Sequence, residues 1–361
     1  MSRGVMILLL SLCCQATQAM SAEPAAARPM VLVHVMPWFE ANPAKGSWGW
    51  HWTMGKADPG KGELASHDRP LIGPYDSSDP AVVAYQVGLM KAAGIDGAII
   101  DWYGPGDSLD YAMIHRNTGL LIAALGKAGL RFALCIEDQI GKKHTALQGL
   151  SREQATAKVA AAFRHADEHW LADPGYLRLS GRPVVLVFGP QHLTPEEWTA
   201  IRPTLRNNPL VFGLPHLSQR AGIDGAFAWV PVSPGAAVEP GVWQARLSAQ
   251  YAASTREHPV LAMAFPGFHD YYEQAGKGKS FGRINRDDGR TLADSLDQAL
   301  RSGAPIVQIA TWNDYGEGTV VEPTAGRGHR DLELIMSRLR PAADPGALRA
   351  ITESFQRRRA K

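Results

Sequence analysis

Eight short runs of apolar residues recur along the chain, and none of them alternates regularly between apolar and polar positions. They read MVLVHVM, GAIIDWY, RFALCIED, RPVVLVFG, PLVFGLPH, GAFAWVPV, PVLAMAFPGF and PIVQIATW. A continuous apolar run of this length is typical of a strand that is buried on both faces, as in a parallel sheet. The pattern therefore predicts eight parallel strands.

Stretches with helical periodicity separate most of these runs. Residues 79–93 begin with Asp79 and Pro80 and end before Gly94, which are start and stop signals of a helix. Similar stretches cover residues 117–128, 151–171, 195–205, 242–255 and 291–301, and the weakest is the short stretch at 218–221. Strands that alternate with helices predict an α/β fold, specifically a (β/α)8 TIM barrel in a single domain with inserted loops.

A doubly wound open sheet is the alternative architecture. The count of eight strands favours the barrel, and no Gly-x-Gly-x-x-Gly turn follows the first strand. In a barrel the active site lies at the C-terminal ends of the strands. Polar and aromatic residues gather there in this sequence, and the predicted substrate-binding residues are His51, Trp52, Asp101, Trp102, Tyr103, Glu137, Asp138, His216, Trp229, His269, Trp312 and Asn313.

This mixture of aromatic rings, carboxylates and amides suits a carbohydrate ligand. The C–H faces of a sugar stack on Trp or Tyr, whereas its hydroxyl groups need polar partners. Three indoles, including that of Trp52, lie in the WGWHW stretch after the first strand. An isolated Trp is more often part of a protein core than of a binding site, but a cluster in a loop favours binding.

Two carboxylates, Asp314 and Glu317, directly follow the eighth strand in the stretch ATWNDYGEGT. Glycoside hydrolysis needs one carboxylic acid to protonate the leaving oxygen and a second carboxylate as base or nucleophile. We therefore predict that Asp314 and Glu317 are catalytic, and the pair of Glu137 with Glu317 is the alternative. A structural role is also open, in which Asp314 caps the last helix or loop, Asp101 orients a neighbouring side chain and Glu322 fixes the loop through a salt bridge.

Other chemistries find less support in the sequence. Scattered histidines such as His34 and His216 show neither an H-x-H nor an H-E-x-x-H spacing, so we predict no metal site and no cofactor. No Gly-x-Ser-x-Gly elbow and no Walker loop occur, and Cys135 lies within an apolar strand. The net charge is only +2, without a basic run before the C-terminus, which argues against a nucleic-acid partner.

The N-terminus predicts export. Arg3 precedes an apolar run that is too short to span a membrane, and small residues follow it. We expect a signal peptide over residues 1–22, a loose segment over 23–29, the catalytic barrel over 30–340 and a C-terminal tail over 341–361. The mature protein would be periplasmic or extracellular, with no stable membrane span, and lipid anchoring on Cys13 or Cys14 is less favoured.

The motif NDYGEGTVVEP at residues 313–323 resembles the N-E-W-x-E-G-T-x-x-E-P signature of glycoside hydrolase family 99, the endo-α-mannosidases, and of family 71/99-like bacterial proteins. Further matches, in the family's order, are HWT at 51–53, GPYDSSDP at 73–80, AGIDGAIIDWYGPG at 93–106 and IED at 136–138. Together they extend over most of the mature chain. The resemblance implies a TIM barrel that cleaves α-linked mannose-type glycans internally, with retention and without a metal.

The resemblance also implies a role for each carboxylate. Asp314 takes the place of the base that deprotonates the sugar's 2-hydroxyl group, which then attacks the anomeric carbon. Glu317 takes the place of the acid that protonates the leaving group, and Glu137 matches a glutamate near the substrate. The family has Glu where this chain has Asp314, and Trp where it has Tyr315. A conventional two-carboxylate mechanism through Glu137 or Asp138 therefore stays open.

From these observations we expect an exported glycoside hydrolase whose partner is an α-linked oligosaccharide or polysaccharide, of the α-mannan type or an α-glucan. Two other classes remain open. One is a glycan-binding barrel without activity, and the other is a metal-dependent hydrolase of a non-sugar substrate. The sequence does not fix the linkage, endo or exo action, or the oligomeric state.

Overall fold

A computed structural model describes residues 1, 28–42 and 46–359 of the chain. The predicted signal peptide at 1–22 lies almost wholly outside the described residues, and so do positions 43–45 and 360–361. Within the described part, no helix combines the length and the apolar character needed to cross a membrane.

Each of the eight apolar runs forms a strand of one parallel sheet, which confirms the predicted strands. In chain order they are β1 (Met30–Val35), β2 (Gly97–Trp102), β3 (Arg131–Ile136), β4 (Arg182–Val187), β5 (Leu210–Gly213), β6 (Gly225–Phe227), β7 (Val260–Ala264) and β8 (Ile306–Ile309). Nearly every residue of these strands is buried. Burial on both faces explains why the runs are continuously apolar.

The sheet closes on itself. Strand β1 pairs with β8 on one side, with Met30 opposite Ile306, and with β2 on the other, with Leu32 opposite Gly97. The remaining strands pair in chain order, and β3 pairs directly with β4, with Leu134 opposite Val185. A closed sheet of eight parallel strands is a TIM barrel, so the predicted fold class is confirmed and the doubly wound sheet is excluded.

Helices surround the barrel. They are α1 (Trp50–Thr53), α2 (Pro80–Ala93), α3 (Tyr111–Ala128), α4 (Ile140–Gln148), α5 (Arg152–His169), α6 (Pro195–Ile201), α7 (Pro240–Ala252), α8 (Arg290–Leu300), α9 (Arg330–Leu339) and α10 (Gly346–Arg359). Asp79 caps α2 by accepting a hydrogen bond from the Ala81 N–H, and Gly94 ends the helix in a left-handed conformation, as the sequence predicts.

The helix predictions are correct in position and differ at their ends. Helix α3 begins six residues before the predicted start at 117, and α6 continues into a 3-10 turn at Arg202–Thr204. Residues 218–221 form turns instead of a helix. The loops also contain short antiparallel strand pairs, namely Ala41–Asn42 with Ser47–Trp48 and Phe268–His269 with Arg283–Ile284. A further short strand, Arg178–Leu179, pairs with β4.

The region that the sequence predicts as a tail, 341–361, contains helix α10. This helix packs against α2, and its Leu348 and Phe355 side chains are buried. The ring of Phe355 lies 4.8 Å from that of Tyr85 on α2. The domain boundaries as a whole stay a prediction, but the barrel and α10 share one core.

We therefore expect Phe355→Ala to destabilise the whole barrel. Removing a fully buried Phe side chain costs roughly 3–5 kcal/mol of unfolding free energy, because it leaves a cavity. Chemical denaturation of the purified protein measures this change, and the exposed neighbour Arg357→Ala serves as the control, with a change of roughly 0.5 kcal/mol or less. Equal stability of both variants would show that α10 does not contribute to the core.

Candidate active site

A cavity of about 420 Å3 opens at the C-terminal end of the barrel strands. This volume lies within the roughly 300–1,000 Å3 that is usual for small-ligand sites. Every barrel strand but β5 supplies wall residues directly or through the loop that follows it, and those of β7 come from its loop. The lining residues are His34, Met36, Trp38, Asp101, Tyr103, Cys135, Glu137, Gln139, Phe188, Gln191, Trp229, Tyr272, Phe281, Asp314 and Glu317.

The loop at residues 311–322 carries the two predicted catalytic carboxylates, and backbone hydrogen bonds hold it rigidly. The N–H of Thr311 donates to the carbonyl of Thr319 at 2.8 Å, and that of Val321 donates back to Thr311 at 3.0 Å. The Asp314 carboxylate accepts from the N–H of Glu317 at 3.0 Å. Asp314 thus fixes the turn and also lines the cavity, so the structural and the catalytic readings of this residue are compatible.

A glycine is needed at position 318 of this loop. Gly318 has a φ of +67°, and a Cβ atom there would lie 2.7 Å from the carbonyl oxygen of His269. That close approach accompanies a hydrogen bond from the His269 N–H to the Glu317 carbonyl at 2.9 Å. The backbone of Glu317 is therefore clamped from the side opposite to the cavity.

Side-chain hydrogen bonds join the loop to the neighbouring first strand. The Asn313 amide donates to the Met36 carbonyl at 3.0 Å, and its oxygen accepts from the Met36 N–H at 2.8 Å. The buried Glu322 carboxylate accepts from Tyr75, Tyr315 and Gln86 at 2.8 to 2.9 Å. Glu322 therefore fixes the loop as one of the sequence alternatives predicts, through hydrogen bonds to neutral groups in place of a salt bridge.

Four carboxyl groups face this one cavity, and among the residues that the structure describes no lysine or arginine lines it. Asp101, Glu137 and Asp314 are only 4%, 6% and 5% exposed. Burial raises the pKa of Asp101 to about 7 and that of Asp314 to about 6. Burial and the Asp314 charge raise the pKa of Glu317 well above its ordinary value, and burial and Asp101 do the same for Glu137.

Each group's hydrogen bonds modify this effect. The backbone N–H groups of Glu317 and Gly316 favour the ionised form of Asp314 and partly offset the effect of burial on its pKa. Glu317 has no comparable hydrogen bond among the causes of its shift. Two neighbouring carboxyl groups with unequal environments are the arrangement in which one serves as base and the other as acid.

Aromatic rings complete the walls. Trp229 lies edge-on to His34 at 5.0 Å between ring centres and edge-on to Phe188 at the same distance. Burial lowers the pKa of His34 to about 4, so this ring is neutral near neutral pH. Trp38 stacks on His51 at 4.2 Å, and Tyr272 lies edge-on to Phe281 at 5.6 Å. Phe281 is 50% exposed, which leaves a ring face open to a ligand.

Six of the residues predicted from the sequence line this cavity. They are Asp101, Tyr103, Glu137, Trp229, Asp314 and Glu317. The inward direction of Asp101 and the outward direction of Trp102 follow from the alternation of side chains along β2. The outward-facing Trp102 packs on Trp170 at 5.1 Å.

The structure places the other predicted residues elsewhere. Trp52, Trp102 and Trp312 are fully buried core residues, and Asn313 joins two loops. Asp138 accepts hydrogen bonds from the N–H groups of Gln191, His192 and Leu193, so it fixes the loop after β4. His51 lies behind Trp38 and bonds Asp110 at 3.2 Å, and His216 is exposed on a turn. These seven side chains therefore do not line the cavity.

His269 lines a smaller pocket of about 210 Å3 on the other side of the loop. It stacks on His67 with ring centres 3.6 Å apart. Arg286 and Arg327 border this pocket, but both pair with Asp68 and Asp331. Arg286 also donates to the carbonyls of Gly318 and Val320, each at 2.9 Å. This ion-pair network therefore supports the loop at residues 311–322.

Several cavity residues are missing from the sequence prediction. Three of them, His34, Met36 and Trp38, lie at the end of β1. Their position at the end of a predicted strand is the same feature that indicated the predicted residues. Gln139, Phe188 and Gln191 follow β3 and β4. The two glutamines are uncharged and Phe188 is apolar, so no charged side chain indicates a site at these positions. Phe281 lies far along the loop after β7, and no local pattern marks it. Among the described residues, no group of three or more His, Cys, Asp or Glu side chains is arranged to hold a metal ion.

The closed sheet with a carboxylate-lined cavity at its C-terminal end is a TIM barrel, and comparisons with known proteins agree on this fold. The structure of the family 99 endo-α-mannosidase from Bacteroides thetaiotaomicron superposes with a TM-score of 0.64 and 19% identity, over 92% of this chain and 98% of that chain. A second structure, described as a glycoside hydrolase-like protein, gives a TM-score of 0.59 at 13% identity, over 86% and 94%.

Sequence relatives point the same way. The chain is 25% identical over 330 residues to the uncharacterized protein WxcX of Xanthomonas campestris. This match covers 78% of this chain and 45% of that protein. It is 22% identical over 306 residues to a human glycoprotein endo-α-1,2-mannosidase-like protein, over 72% and 58%. The chain thus spans about half the length of these relatives. No protein-family model matches it.

The chain therefore has the fold of family 99 endo-α-mannosidases and is distantly homologous to glycoprotein endo-α-1,2-mannosidase-like proteins. This confirms the resemblance that the sequence motifs indicate.

The carboxyl cluster predicts a dependence of stability on pH. Because the folded state raises the pKa of Asp101 from 3.8 to about 7, the folded protein holds this proton more tightly than the unfolded chain does. The contribution to stability is fully present below about pH 4 and is lost as the pH rises to about 7. We expect Asp101→Asn to raise the unfolding free energy by at least about 1 kcal/mol at about pH 8, and to give no such gain at about pH 4.

Thermal and chemical denaturation at both pH values measure this difference. Asp294→Asn, which changes an exposed carboxylate on α8, is the matched control and should have the same small effect at either pH. A stability gain of Asp101→Asn that does not vary with pH would contradict the assignment of a raised pKa.

Proposed function

We propose that the protein is an exported retaining glycoside hydrolase that cleaves α-linked glycans of the α-mannan type internally. The observation that carries the proposal is the pair of Asp314 and Glu317 on one rigid turn, facing an aromatic cavity at the C-terminal end of the barrel. The distant mannosidase-like relatives support the substrate class, which is taken from their names.

In this proposal Asp314 is the base and Glu317 the acid. Asp314 removes the proton from the 2-hydroxyl group of the sugar, and the resulting oxygen attacks the anomeric carbon while Glu317 protonates the leaving oxygen. Water then opens the 1,2-anhydro intermediate as the two carboxyl groups exchange roles. Burial and the Asp314 charge raise the pKa of Glu317 well above its ordinary value, which supports its role as proton donor near neutral pH, since a useful acid must still hold its proton.

The surrounding walls fit a neutral sugar. Trp38, Trp229 and Phe281 offer apolar faces for stacking, while Gln139 and Gln191 offer amides to its hydroxyl groups. Asp101 and Glu137 hold protons more tightly than ordinary carboxyl groups, so they can donate hydrogen bonds to hydroxyl oxygens. An anionic sugar would face four carboxyl groups without a compensating cation.

We expect Asp314→Asn and Glu317→Gln each to lower kcat/KM on α-mannan by roughly 100-fold to 10,000-fold, because each removes a proton-transfer group. Release of reducing ends is the measurement. Asp314→Glu keeps the base and should retain more activity than Asp314→Asn. The exposed carboxylates Asp294→Asn and Glu353→Gln are matched controls that should leave the rate unchanged.

The outcomes separate the alternatives. Undiminished hydrolysis in both variants would remove the assignment, and loss in Glu317→Gln alone would point to another base such as Glu137. Glycan binding by calorimetry without turnover on mannans and glucans would favour a binding protein. Activity that a chelator abolishes and a divalent metal restores would favour a metal-dependent hydrolase.

Export rests on the N-terminal sequence alone. We expect expression of the full chain in a bacterial host to give a processed protein in the periplasm or medium, with its new N-terminus near residue 23. Cell fractionation with N-terminal sequencing measures this, and replacing the apolar residues 5–12 with polar ones should retain the protein in the cytoplasm. An unprocessed protein in the cytoplasm would refute the prediction.

A further inference from the structure

The loop after β7 lies directly behind the proposed acid. The N–H of His269 donates to the carbonyl of Glu317, and the N–H of Tyr271 donates to the carbonyl of Gly316, both at 2.9 Å. Asp270 is the residue between His269 and Tyr271 in the sequence, and it is only 1% exposed. Its position is therefore fixed relative to the backbone of Glu317, although Asp270 itself does not line the cavity.

The Asp270 carboxylate also holds the far end of the same loop. One oxygen, Oδ2, accepts a hydrogen bond from the Phe281 N–H at 2.7 Å and one from the Ser280 hydroxyl at 3.0 Å. These bonds bring Phe281 back to the cavity, where its ring meets Tyr272. Phe281 is half exposed, and this carboxylate accepts the hydrogen bond of its N–H, so Asp270 contributes to its place above the cavity.

The second oxygen of Asp270, Oδ1, is buried and has no hydrogen-bond partner among the described residues. A buried carboxylate with an unpartnered oxygen is costly, and an uncharged side chain would avoid much of that cost. The charge of Asp270 acts on Glu317 and on Tyr272, and it raises the pKa of both. A structural clamp alone does not need this charge, since an asparagine oxygen would accept the same two hydrogen bonds.

Other groups also face Glu317. Asp314 on the same loop and Asp101 on β2 raise the pKa of Glu317, and Glu137 after β3 interacts with it. The Tyr272 hydroxyl group lies on the same loop as Asp270, and His34 is neutral near neutral pH. Asp270 differs from the other three carboxylates because it acts from outside the cavity. Changing it therefore leaves the residues that touch substrate in place.

We propose that Asp270 is a positioning residue that holds the ring of Phe281 over the cavity and places a negative charge behind Glu317. Phe281 then forms a stacking surface for a sugar unit that adjoins the bond to be cleaved, and the charge keeps the acid protonated until the leaving oxygen takes its proton. The proposal rests on the proposed function, in which Glu317 is the general acid.

Three variants separate the two effects. Asp270→Asn keeps an acceptor for Phe281 and Ser280 but removes the charge, so the alkaline limb of the kcat/KM profile should move down by about 0.5 pH unit or more, with KM unchanged. Asp270→Ala also removes the clamp, so its KM on α-mannan oligosaccharides should rise roughly tenfold, as in Phe281→Ala. The control Asp294→Asn should change neither quantity.

A measurement without turnover keeps the inference separate from the proposed function. With 13C-labelled glutamate carboxyl groups, the resonance of Glu317 is the one that disappears in Glu317→Gln, and its titration midpoint should fall in Asp270→Asn. If the wild type cleaves no glycan, the proposed function fails while this titration still tests the charge effect. An unchanged midpoint would overturn the electrostatic part, and an unchanged KM in Phe281→Ala would overturn the stacking surface.

Discussion

The hydrogen bonds that join the loop after β8 to the end of β1 are the constraint on which the site depends. The side chain of Asn313 hydrogen-bonds to the backbone N–H and carbonyl of Met36. The buried Glu322 carboxylate accepts hydrogen bonds from Tyr75, Tyr315 and Gln86. These bonds fix the loop at the point where the first and last strands close the barrel. Because these bonds hold the loop, they also hold Asp314 and Glu317 in a defined relative orientation, which the proposed proton transfer at two neighbouring atoms requires.

The four carboxyl groups of the site lower the stability of the folded protein at neutral pH. Four carboxyl groups line one cavity, and no lysine or arginine of the described part of the chain lines it with them. This arrangement disfavours the ionised forms of the carboxyl groups, so the folded protein retains protons that it would otherwise lose. Such a site is less stable at neutral pH than an apolar one, but it contains the proton donors and the proton acceptor that cleavage of a sugar bond needs. Stability is given up at the site of the proposed chemistry, while the ion pairs of Arg286 and Arg327 hold the loop from outside.

Much of the architecture could be predicted from the sequence, because a strand buried on both faces leaves a continuous apolar run and a helix end leaves a cap. The strand ends also indicated Asp101, Glu137, Asp314 and Glu317, which line one cavity in the structure. Single residues within those ends could not be resolved, since neighbouring side chains point in opposite directions and one step separates the cavity residue Asp101 from the core residue Trp102. The roles of Asp138 and Phe281 depend on contacts between loops that are distant in sequence.

The central claim is that Asp314 and Glu317 act as base and acid on an α-linked glycan. A crystal structure of the Glu317→Gln variant with an α-mannan oligosaccharide across the cavity tests it most directly. The account predicts that the Asp314 carboxylate lies within hydrogen-bond distance of a sugar 2-hydroxyl group and that the side chain at position 317 lies beside the glycosidic oxygen. A glycan bound with Glu137 or Asp101 beside its anomeric carbon, or bound outside the cavity, would contradict it.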